Sequence, residues 1–166
     1  MENTWGYLPV SSSTVDDDAS VASPVGTRCL PTGMVTFLLS NVDGSTRLLE
    51  RDEEAMGAVI ARHNELLDGA IARHGGVRPV ERGEGVVGVF ARPPDALAAA
   101  LDAQRAFADE PWARDRRLGV PLALHTGEAQ LRGDDRYVGR AVMRGAQLRA
   151  VAHGGQIVLS GALKIP

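Results

Sequence analysis

The chain has 166 residues, 44% of them hydrophobic, enough to bury one sizeable core, and its formal net charge of −3 lacks the basic footprint of a nucleic-acid binder. A single cysteine, Cys29, excludes an internal disulfide, and the scattered His63, His74, His125 and His153 give no zinc-ligand spacing. With no basic leader, no apolar leader and no run of about 18 apolar residues, a cytoplasmic protein without a membrane segment is expected.

Residues 1–31 hold the SSST run, the acidic triplet Asp16-Asp17-Asp18 and three prolines, with little periodic hydrophobicity. They read as a flexible N-terminal tail, followed by one domain over residues 32–166. MVTFLLS, residues 34–40, is an unbroken apolar run rich in β-formers and predicts a buried strand. The chain then turns through Asn41 and Val42-Asp43-Gly44-Ser45, where Ser45 or Thr46 caps a helix. Met56, Val59, Ile60, His63, Leu67, Ala70 and Ile71 recur at helical steps until Gly75-Gly76, so the spacing predicts a long amphipathic helix with a break near Asp52.

VRPV and VVGVF flank a tight RGEG turn and predict a β-hairpin. Pro94-Asp95 opens a second helix with Leu97, Leu101 and Phe107 on one side. LGVPLALHT reads as a strand ending near His125-Thr126-Gly127-Glu128, Arg140 to Val151 as a helix carrying Val142, Ala146 and Leu148, and QIVLS as a final strand. The order β-α-β-β-α-β-α-β predicts an α+β domain of ferredoxin-like type, its helices covering one face of a mostly antiparallel sheet.

Three local motifs carry less than their letters promise. GEGVVG satisfies the dinucleotide fingerprint but is followed by Val89-Phe90 rather than a helix, so it reads as a hairpin turn. His125-Thr126-Gly127-Glu128 has no elbow nucleophile beside it and reads as a capped strand end. Asp134-Asp135-Arg136 reads as a solvated turn.

The ordered set VTFLLSNVDGSTRLLE, then ARHGGVRPVERGEGVVGVFARPPDALAAALDAQRA, then LALHTGEAQLRGDDRYVGRAVMRGAQLRAVAHGGQIVLS resembles the class III nucleotidyl cyclase catalytic domain in its actinobacterial branch, from about Gly33 to Ser160. The resemblance implies a shared-site dimer in which two divalent ions activate a ribose 3′-hydroxyl for attack on the α-phosphate, releasing pyrophosphate. It puts the two metal carboxylates at Asn41 and Glu84, the transition-state asparagine and arginine at Met143 and Gln147, and the base-selecting lysine and aspartate at Val80 and Arg136. It leaves Val42, Asp43, Gly44 and Ser45 as phosphate contacts at a helix N-terminus.

All six diagnostic positions depart from the pattern. Asn41 offers only a neutral carbonyl oxygen, Glu84 moves its charge one methylene outward, and Gln147 has no charge to set against a phosphoryl transition state. The expectation is a catalytically degenerate cyclase-like domain acting in signalling as a regulatory or interaction module. No cofactor is expected beyond weak Mg²⁺ or Mn²⁺. The implied partners are a second copy or a cyclase-like chain, with ATP or GTP held weakly. The alternatives are a weak Mn²⁺-dependent adenylyl or guanylyl cyclase using Glu84, Asp43 and Arg144, and a fragment of a larger transcriptional regulator, since the chain stops at LKIP before the family's last strands.

Overall fold

The computed structural model describes residues 29–79, 86–111, 119–133 and 136–163, apart from the side chains of residues 48, 49, 86 and 87. The expected tail lies outside the described residues as far as residue 28, and so do Val80 and Glu84. The elements run β1 (Gly33–Ser40), α1 (Ser45–Arg51), α2 (Glu53–Arg73), β2 (Val86–Phe90), α3 (Pro93–Asp109), β3 (Leu122–Leu131), β4 (Tyr137–Val138), α4 (Arg140–Val151) and β5 (Ile157–Leu159).

The sheet order is β2-β1-β3-β4, with β5 also on β3. β1 pairs antiparallel with β2 and β3, β3 antiparallel with β4, and β5 parallel with β3. The mostly antiparallel, ferredoxin-like α+β expectation holds. The expectation that the helices share one face does not. Alternate residues of β1 enter two cores: Leu38 packs with Leu67, Ile71, Ala99 and Phe107 from α2 and α3, while Val35, Phe37 and Leu39 pack with Ala141 and Val142 of α4. The unbroken apolar run is the reason, because a strand with both faces apolar needs cover on both. Each fully buried Leu or Phe contributes about 1.5–3 kcal/mol to this sandwich.

The break near Asp52 is a cap. Its side chain accepts from the Ala55 N–H at 2.9 Å, with Glu53 and Glu54 in the first turn of α2. At the other end Gly75, at φ +69°, and Gly76 donate back to the Ala72 and Ile71 carbonyls at 3.2 and 2.9 Å, closing the helix as a Schellman motif. α3 buries the small face Ala96, Ala99, Ala100 and Ala103 with Phe107, which brings its backbone close to the sheet. Leu101, expected on that face, is 41% exposed.

The expected hairpin is reduced among the described residues to one antiparallel bridge, Val77 to Val89, ahead of β2. Pro79 offers no ladder N–H, which limits that arm. β3 does not end at His125-Thr126-Gly127-Glu128 but runs on to Leu131, because Met34 and Gly33 of β1 continue the pairing and β4, unforeseen in the sequence, closes on Gln130 and Leu131.

Candidate functional site

The strand exit that raises the chemical question is held from below. Ser40, the last residue of β1, is 6% exposed, and its Oγ lies 2.9 Å from Nε2 of the equally buried His63 on α2. The His63 ring stacks on Phe107 of α3 with centroids 5.4 Å apart. A hydrogen bond and a ring contact thus fix the end of β1 to two helices, and Asn41 emerges from that anchor exposed.

Val42 turns back into the core at 3% exposure, and Gly44, at φ +79°, lets the chain reverse into α1. Of the four amides in this turn, two are committed internally: Asp43 N–H donates to the Gly119 carbonyl at 2.9 Å and Ser45 N–H to the Val42 carbonyl at 3.2 Å. Among the described residues no backbone partner is seen for the Val42 and Gly44 amides. The turn walls a cleft of ≈ 570 Å³ with Gln104, Gly119, Gly154 and Gly155. Gln104 Nε2 donates to the carbonyls of Val120 and Gln156 at 2.6 and 3.3 Å, tying α3 to the loops at this end of the sheet.

Asn41, where the resemblance puts the first metal carboxylate, is neutral, and Asp43 is the nearest described carboxylate in sequence. Glu84 and Val80 lie outside the described residues. Among the described residues no three His, Cys, Asp or Glu side chains gather to hold an ion.

The other positions that the resemblance marks, Arg136, Met143 and Gln147, lie just ahead of β4 and on α4. Arg136 stands half-buried just before β4, its carbonyl accepting from the Arg132 N–H at 3.0 Å. Met143 is 55% exposed, and Gln147, one turn later on the same side of the helix, is exposed too. α4 presents these two outward because its opposite side, Ala141, Val142 and Gly145, is buried against the sheet.

Two clefts that share His125 and Arg144 lie between α4 and the end of the sheet, ≈ 470 and ≈ 460 Å³ in volume. His125 is 4% exposed, with Nδ1 2.8 Å from Ser160 Oγ. Burial, and secondarily the charge of Arg144, hold its imidazole below the ordinary histidine range. The sequence marked Arg144 but not Arg140, Ser160 or the role of His125. The four-residue step between Arg140 and Arg144 was the available signal.

No family model matches the sequence. An uncharacterized protein of Mycobacterium tuberculosis is 46% identical over 137 residues, which are 81% of this chain and 45% of that protein. A second uncharacterized protein of the same organism is 37% identical over 139 residues, 82% of this chain and 52% of that one. The chain thus spans about half the length of the curated relatives it matches. A crystal structure of an adenylate/guanylate cyclase/hydrolase from Silicibacter pomeroyi is 30% identical, covers 78% of this chain and 77% of its own, and superposes with TM-score 0.67. The chain belongs to the class III adenylate/guanylate cyclase family.

The adenylate cyclase domain of Trypanosoma brucei, solved in its monomeric state, superposes with TM-score 0.72 over 80% of this chain and 74% of that one, at 20% identity, a likeness of fold. The cyclase homology domain fold read from the sequence is therefore the observed one, down to the α4 helix that carries Met143 and Gln147. Among the described residues no helix is long and apolar enough to cross a membrane.

Proposed function

We propose that this cyclase homology domain is catalytically degenerate and serves in signalling as a regulatory or interaction module. The observation that carries the reading is the outer side of α4. The helix is built and packed, but the two residues it presents are a thioether and a neutral amide, Met143 and Gln147. A loose phosphoryl-transfer transition state is stabilised by cationic donors aimed at its oxygens, and a neutral amide and a thioether supply no such charge. Asn41 extends the deficit to the metal half, where Mg²⁺ or Mn²⁺ is held weakly.

Met143, Val151 at 64% exposure and Leu159 at 42% give α4 and β5 an apolar outer side suited to a second copy or a cyclase-like chain. ATP or GTP is held weakly, through the Val42 and Gly44 amides, and serves as a ligand rather than a substrate. Incubation with ATP or GTP and Mn²⁺, followed by chromatography for cyclic nucleotide, is expected to give none. Cyclic product that disappears in Glu84→Ala would overturn the reading.

A further inference from the structure

Among the described residues, the edge of β3 turned away from β1 is paired at both ends and open between them. β5 takes Leu122 to Leu124, and β4 takes Gln130 and Leu131. Leu122 N–H donates to the Gln156 carbonyl at 2.9 Å, and the Leu124 carbonyl accepts from the Ser160 N–H at 3.0 Å, so the even-numbered residues turn their backbone polar groups to this edge. By that alternation Thr126 and Glu128 direct theirs into the gap.

α4 roofs the gap at close range. A Cβ added at Gly127 would lie 2.6 Å from the Ala141 Cβ and 3.3 Å from His125 Nε2. The resulting ≈ 470 Å³ cleft is lined by His125, Thr126, Glu128, Arg140 and Arg144 among others. Arg140 and Arg144 are one helical turn apart, and among the described residues neither enters an ion pair. Two guanidiniums on one wall, without an ion pair among the described residues, face a stretch of strand edge and a buried imidazole with one nitrogen already committed to Ser160, and Glu128 is the one carboxylate among the described residues that line the cleft.

We propose that this cleft binds a small oxyanion, a carboxylate or a phosphate monoester, held by Arg140 and Arg144 and oriented by the β3 edge. Planar guanidiniums match such groups through paired N–H···O bonds. Glu128 bounds the ligand's charge: two guanidiniums against one carboxylate leave a single positive charge, which suits one anionic group rather than a triphosphate. Among the described residues the cleft shares no lining residue with the one walled by the Val42–Ser45 turn, so it is separate from that turn and independent of whether the chain turns over nucleotide.

The test is a titration of the full chain with inorganic phosphate, and separately with acetate, at constant ionic strength, followed by NMR of the arginine Nε–H and backbone amide signals. At least one probe is expected to shift the Arg140 and Arg144 signals to saturation, and which one does so distinguishes the two sources. The double variant Arg140→Gln, Arg144→Gln changes two exposed side chains and is expected to keep its fold while binding tenfold or more weakly, a loss of about 1.4 kcal/mol. No saturable shift with either probe, undiminished binding by the double variant, or shifts confined to the Val42–Ser45 turn would each overturn the proposal.

Discussion

Gly145 of α4 lies directly over Leu39 of β1: a carbon added to the glycine would sit 2.5 Å from Leu39 Cδ1. This contact sets the height of the helix above the sheet and so the place of Met143 and Gln147 on its outer side. Gly145→Val is expected to destabilise the domain by about 1–3 kcal/mol through overpacking, read as a lower midpoint in urea unfolding. An unchanged midpoint would mean that α4 is free to lift.

The Ser40–His63 hydrogen bond joins the end of β1 to α2 inside the core. Ser40→Ala deprives the buried imidazole of this partner and is expected to cost about 1–3 kcal/mol, measured in the same unfolding experiment. A neutral result would mean that the strand exit before Asn41 is held by packing alone.

Stability should respond to acid through His125. Its folded-state proton affinity lies below the ordinary value, because of burial first and Arg144 second, so the unfolded chain binds the proton more readily. The stabilisation is complete above about pH 6.5 and is lost as pH falls from there through the folded-state value. His125→Gln is expected to flatten the dependence of the unfolding midpoint on pH in that window. At lower pH a second decline is expected, because the His74 hydrogen bond, chiefly, holds Asp102 below the usual carboxylate range.

Restoring the family pattern should restore chemistry if the scaffold is otherwise competent. Asn41→Asp, Glu84→Asp, Met143→Asn and Gln147→Arg together are expected to form cyclic nucleotide well above the native chain, the arginine alone being worth about 10³–10⁵ in rate by analogy with arginine fingers. Product no greater than the native chain's would place the deficit outside these four positions.

Much of this was legible in the sequence because it rests on local chemistry. The bounds of α4, the break near Asp52 and the buried β1 follow from periodicity and short-range chemistry, while the structure shows the break to be a cap. The placement of α4 on the second face of the sheet was implicit in MVTFLLS, whose residues are apolar on both sides, but an element order alone does not say which helix crosses over. The continuation of β3 through Gly127 depended on Met34 and Gly33, some ninety residues earlier, and the opening between β4 and β5 on register. The cleft with Arg140, Arg144 and His125 is therefore a tertiary feature. Asn41, Met143 and Gln147 stood out in sequence because their side-chain chemistry, not their surroundings, differs from what the resemblance implies at those positions.

The most direct measurement is calorimetric titration of the chain with ATP and GTP, in Mg²⁺, in Mn²⁺ and without metal, with the same mixtures chromatographed for cyclic product. A degenerate domain gives weak binding that does not depend on the metal, and no product. Binding that tightens with Mg²⁺ or Mn²⁺ and yields cyclic nucleotide would contradict it.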